Sequence, residues 1–255
     1  MSIGHYENFP VASLLLPAPL REPVSVIYRF ARTADDFADE GDDPPEARLE
    51  KLNNFTTRLR SIGEGNTPDE PLFQDLARVA RKYSLPLNLF EDLLSAFRQD
   101  VEKKRYGNYA EVLDYCSRSA NPIGRLLLHL FKQTTESNLE RSDAICSALQ
   151  IINFWQDVKV DHAKDRIYLP QDEMQRFGVS EAHLHEARCD DAWKQLMAFQ
   201  CDRARELMLQ GAPLKESLRG RIRLEIAVTV EGGLRILEKL AHRSEERRVG
   251  KECRL

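Results

Sequence analysis

Four aspartates constrain this chain more than anything else in it. Asp35 and Asp39 lie four residues apart in the stretch 28–40, and Asp157 and Asp161 lie four apart in the stretch 150–161. Apolar residues recur in both stretches at helical spacing, so each predicts a helix. Residues i and i+4 sit about 5–6 Å apart on one helix face, so each helix carries a pair of like charges side by side. A charged helix face is ordinarily a solvated one. Two features count against that reading. Aromatic residues interleave with the acids, Phe37 in the first stretch and Phe154 and Trp155 in the second. Asn153, Asp157 and Asp161 also continue one stripe over two turns, and a stripe with no lysine four places away repels itself unless a cation fills it. Two such pairs facing each other could hold Mg²⁺ against a diphosphate, because Mg²⁺ takes carboxylate and phosphate oxygens and keeps several waters.

The remainder of the chain predicts helices almost throughout. Ile27, Phe30, Ala34 and Phe37 form the apolar stripe of the first helix, which is expected to begin after Pro19 and Pro23 and to run to about Glu40. Further helices are predicted over 46–62, 71–83, 86–104, 109–119, 123–130, 138–164, 190–210 and 214–242, with small ones near Gln171 and Ser180. Arg166 to Pro170 is expected to be a short extended stop. Gly232 and Gly233 fall inside the last helix, where each costs about 1 kcal/mol relative to alanine, so close packing or a ligand is expected to need the space. No segment shows the two-residue period of a strand. The fold class is therefore all-α, with residues 1–242 as one domain of 255. Residues 243–255 have no apolar period and resemble the translation of a DNA-sequencing adapter, so they are expected to be a foreign tail.

Several function classes have no support. Net charge is −4, which gives no general affinity for nucleic acid. No apolar run approaches the roughly 20 residues of a membrane span. The first residues, Met1 to His5, lack the basic start and apolar run of a signal peptide. Five cysteines without a C-x-x-C spacing predict free thiols in a reducing cytoplasm. There is no glycine-rich nucleotide loop. His183 and His185 are two apart on a predicted helix and point in different directions, so they are not read as a metal pair. Arg32, near Asp35, can either neutralise the acids or grip a phosphate with its planar fork.

At these residues the sequence resembles the squalene/phytoene synthase family. Asp35-Asp36-Phe37-Ala38-Asp39 and Asn153-Phe154-Trp155-Gln156-Asp157-Val158-Lys159-Val160-Asp161 match its two acidic signatures, and Asp165 to Pro170 matches the segment that follows. The resemblance spans about residues 4–242. His5 to Pro10 and Ser119-Ala120-Asn121-Pro122-Ile123-Gly124-Arg125 look like the branch that forms hydroxysqualene from presqualene diphosphate in bacterial hopanoid synthesis. The resemblance implies an all-α isoprenoid-synthase bundle around a central apolar cavity. It implies Mg²⁺ held by Asp35, Asp36, Asp39, Asn153, Asp157 and Asp161. It implies that His5, Asn8, Tyr28, Arg32, Gln150 and Asn153 contact the prenyl diphosphate. Asn121 and Ser117 are expected near the cavity wall, where a water could be placed. Gln156, Ser117, Asn121 and Gly233 depart from the residues that condensing relatives carry, which argues against simple head-to-head condensation of two diphosphates. A non-catalytic assembly role is the reading of another class, and the retention of all five aspartates argues against it. Cytoplasmic placement is expected, with transient contact to the inner membrane surface compatible with lipid substrates; oligomeric state is not legible.

Overall fold

A computed structural model describes residues 16–245, with backbone alone for 242–245. Every regular element among them is an α-helix, and the one exception to helical pairing is an isolated parallel bridge between Arg105 and Ile167. The all-α expectation is met.

The first half of the chain builds one core. α1 (Ala18–Asp39) starts behind Pro17 and turns Val24, Ile27, Phe30, Ala34 and Ala38 inward. Pro23 is not at its start, as expected, but buried one turn inside. A proline there has no N–H for the carbonyl four residues back. That carbonyl, Pro19 O, instead accepts from the Tyr83 hydroxyl at 3.2 Å. α2 (Pro45–Gly63), α3 (Pro71–Tyr83) and α4 (Asn88–Glu102) pack around α1. Phe30 is the centre, with ring centroids of Phe55 and Phe90 at 5.0 and 5.2 Å. Aromatic pairs at such distances add roughly 0.5–1.5 kcal/mol each beyond burial.

The second core forms around α7 (Glu136–Gln156). α5 (Tyr109–Ser119), α6 (Asn121–Leu130) and then α8 (Val158–Ala163), α9 (Gln171–Arg176), α10 (Glu181–His185), α11 (Asp191–Gly211), α12 (Leu214–Ser217) and α13 (Arg221–Glu245) complete the order. α7 contacts α5, α6, α11, α12 and α13. Its approach to α11 is close enough to require Gly211: a Cβ there would lie 2.6 Å from the Arg141 carbonyl oxygen. α4 and α6 serve both cores, since Ala96 and Leu128 belong to the second while Leu93, Phe97, Leu126 and Leu130 belong to the first.

Two long helices are broken where the period ran on. The helix predicted over 138–164 is α7 and α8, parted at Asp157 (φ −101°, ψ 12°). The helix predicted over 214–242 is α12 and α13, parted by extended Leu218 and by Gly220 at φ 66°. α13 ends at Glu245 rather than near His242, and the rest of the expected tail lies outside the described residues. Of the two adjacent glycines, Gly233 is buried and a Cβ would come 2.6 Å from Met208 Cε, whereas Gly232 is exposed with nothing within 4 Å. Cys116, Cys146, Cys189 and Cys201 are free. No helix among the described residues is long and apolar enough to cross a membrane.

Candidate active site

The two acidic stretches come within electrostatic reach of each other at Asp39 and Asp161, and basic residues on the loop after α8 pair with Asp39. Lys164 Nζ lies 3.0 Å from Asp39 Oδ2, and the buried Arg166 guanidinium pairs with Asp39 Oδ1. After the break at Asp157 and the short α8, this loop lies against α1. The break parts the helix that the sequence predicts over 138–164, yet Asp161 N still donates to Asp157 O at 2.8 Å, so the two aspartates remain on successive turns. β-Branched Val158 and Val160 favour the helix weakly, and the tertiary contacts of 164–167 override it.

Behind this junction sits Asp100. Its carboxylate accepts from Tyr115 at 2.7 Å and from Tyr168 at 3.4 Å, and Arg166 Nη2 donates to its carbonyl at 3.1 Å. Tyr168 stacks on Phe154 with ring centroids 3.7 Å apart. Arg166 therefore links α1, α4 and the loop after α8.

These carboxyl groups carry more negative charge than the site's own cations offset. Burial, then the neighbouring Asp39, pushes Asp35 up to about 6. Burial, then Asp157, pushes Asp161 up to about 7. Burial pushes Asp100 up to about 7. Burial acts upward on Asp39 too, but Arg166 and Lys164 outweigh it and hold that carboxyl below its ordinary value. Hard oxygen donors with uncompensated charge suit Mg²⁺ by chemistry. Among the described residues no three His, Cys, Asp or Glu side chains converge as a ready ligand shell, and Asp39 is engaged by Arg166 and Lys164.

A cavity of about 260 Å³ opens beside the junction. Tyr28, Arg32 and Gln150, expected at the substrate, line it together with Asp35, expected at the metal. Ala31, Phe97, Ile123 and Leu149 make its apolar wall. A deeper void of about 90 Å³ shares Ile123, Cys146 and Leu149 with it. Arg32 lies 2.7 Å from Asp36 and 3.4 Å from Asp35, so it neutralises the acids while facing the same cavity.

Other expected residues are placed elsewhere. Asp39, Asp157, Asp161 and Asn153 do not line the cavity: Asp39 pairs with Lys164 and Arg166, Asn153 O accepts from Asp157 N at 2.9 Å, and Asp161 borders a water-sized void with Arg166 and Tyr168. Asp36 is half-buried against Arg32. Asn121, expected at the wall, is buried with its Oδ1 accepting from Ser147 Oγ at 2.8 Å, which ties α6 to α7. Ser117 is exposed and its Oγ donates to Asp114 O at 2.7 Å, because a helix turns it 200° away from Ser119. Gln156 is exposed at the end of α7. His5 and Asn8 lie outside the described residues. His183 is buried and closes a capping box with Ser180, in keeping with a structural histidine. Lys164, Arg166, Asp100 and Ser119 enter the site without having been predicted; the segment 165–170 was the one signal pointing to Arg166.

The chain matches the family model for squalene/phytoene synthase over residues 4–252. It is 34% identical to the hydroxysqualene synthase of Rhodopseudomonas palustris, over 93% of this chain and 80% of that protein. It is 32% identical to the phytoene synthase of Mycobacterium bovis, over 77% of this chain and 65% of that protein. The crystal structure of squalene synthase HpnC from Alicyclobacillus acidocaldarius superposes with a TM-score of 0.87 at 32% identity, covering 94% of this chain and 90% of that one.

Proposed function

The chain belongs to the squalene/phytoene synthase family, whose members use prenyl diphosphates, and from that premise we propose that it converts presqualene diphosphate and water to hydroxysqualene and diphosphate. The observation that carries the reading is the cavity: an apolar wall of Ala31, Phe97, Ile123 and Leu149, with Tyr28, Arg32, Asp35 and Gln150 gathered on it.

The residues divide the work by charge. The Arg32 fork matches phosphate oxygens and would take the diphosphate at the polar end. The C–O bond then breaks and its electron pair leaves with the diphosphate. Phe97, Ile123 and Leu149 keep stray water from the cation while it rearranges. One water adds to the rearranged cation, and its proton passes to the released diphosphate. Mg²⁺, held by Asp35, Asp36, Asp39, Asn153, Asp157 and Asp161, would supply positive charge to the leaving diphosphate. Product release into a lipid phase favours transient attachment to a membrane surface.

The test is incubation with presqualene diphosphate and MgCl₂ in ¹⁸O-labelled water without NADPH. An alcohol carrying the label is expected, and excess chelator should stop its formation. A hydrocarbon that requires NADPH overturns the reading. The similarity to a phytoene synthase supports a second reading, head-to-head condensation. Efficient conversion of farnesyl diphosphate to presqualene diphosphate would favour it.

A further inference from the structure

The wall of the main cavity contains one hydroxyl that no other described residue answers. Ser119 ends α5 and lines the cavity beside Ala120 and Ile123. Its Oγ is buried and has no hydrogen-bond partner among the described residues. Native structures rarely leave such a group unpaired without a reason. Neighbouring hydroxyls are paired: Ser117 with Asp114, Ser147 with Asn121, and Ser95 with Arg118.

The backbone is interrupted at the same place. Pro122 has no N–H for the Arg118 carbonyl four residues back, and Ile123 N donates to Ala120 O at 3.1 Å, three residues back. The C-terminal end of α5 therefore reaches the cavity wall, and the partial negative charge of a helix C-terminus favours a cation nearby.

We infer that Ser119 Oγ holds the water that ends the reaction. This rests on the water-capturing reading proposed above. The hydroxyl accepts one hydrogen bond from the water, which leaves an oxygen lone pair for the cation. A C–O bond forms, and the proton of the resulting oxonium goes to the released diphosphate. Oxidant and reductant are not required. One water needs only about 10–15 Å³ of cavity space, and the cavity offers about 260 Å³.

Ser119→Ala, Ser119→Cys and Ser119→Thr are compared with the wild type on presqualene diphosphate, measuring diphosphate release and organic products side by side. In Ser119→Ala, diphosphate release should stay within about threefold, while the hydroxysqualene share of product falls about tenfold, as loss of one hydrogen bond predicts. Hydrocarbons formed by proton loss, or isomeric alcohols, should replace it. Ser119→Thr keeps the hydroxyl and should restore hydroxysqualene; Ser119→Cys, a weak partner of nearly the same size, should behave like Ser119→Ala. An unchanged product profile in Ser119→Ala and Ser119→Cys overturns the inference. So does a parallel fall of release and product with the profile intact, which is what a purely structural serine would give. If the wild type itself makes no hydroxysqualene, the functional reading fails and the role of Ser119 falls with it.

Discussion

Asp100 and Arg166 sit where neither the spacing of the acids nor the apolar period points, yet they hold the acidic junction together. Asp100 ionises near 3.8 when free and is pushed up to about 7 by burial. Between those values the folded state keeps the proton that the unfolded state has lost. Its stabilising contribution is therefore full below pH 3.8 and is lost as pH rises toward 7. From pH 5 to 7 the wild type should lose about 2–3 kcal/mol more than Asp100→Asn, read as urea-unfolding free energies. Equal losses would show that Asp100 is ionised throughout. At Asp35, the exchange of one carboxylate for an amide in Asp35→Asn should cut turnover at least about a hundredfold, with unchanged helical circular dichroism. Full activity would remove Asp35 from the site. The acids themselves were legible because like charges four apart on an aromatic-rich helix are unusual. Ser119 and Asp100 were not, since a lone serine or aspartate carries no period, and their meaning comes from burial and partners alone.

Helix by helix, the sequence located the elements well and their breaks poorly. α3 and α5 begin and end where the period predicts, because Pro71 and Asn108 set their starts and Ser84 and Pro122 their ends. The period runs on across Asp157 and Gly220, since apolar residues continue it on either side of each break. The glycines show how local pattern and packing separate. Gly211 lets α11 touch α7 backbone, and the carbonyl 2.6 Å from an added Cβ cannot swing aside. Gly211→Ala should therefore destabilise by about 1–3 kcal/mol. Gly232 has open space, and Gly232→Ala should stabilise by up to about 1 kcal/mol through helix propensity. Thermal unfolding of the two variants checks both signs; a Gly211→Ala protein as stable as the wild type would mean that the two helices are not in contact there.

At the scale of the whole molecule, two apolar cores lie side by side, and among the described helices α4 and α6 serve both. Asp35 and Asp39 belong to a helix of the first, whereas Asp157 is the break between α7 and α8 beside the second and Asp161 lies on α8, with Lys164 and Arg166 reaching across to Asp39. Period alone could not show this division, because it tells which face of a helix is buried and not which helix covers it. A ligand bound by both acidic stretches binds the folded chain only. MgCl₂ with inorganic diphosphate should raise the melting temperature, by the equivalent of about 2.7 kcal/mol at a hundred times the dissociation constant. Absence of any shift, with sodium chloride of equal ionic strength as the control, would sink the joint site. Proteases act on opened chains, and the opened fraction falls as the folded state is stabilised. On the proposed function, a substrate seated across the two cores shelters the enzyme while it works and leaves it to be cleared sooner when idle, so its lifetime in the cell should follow the supply of that substrate.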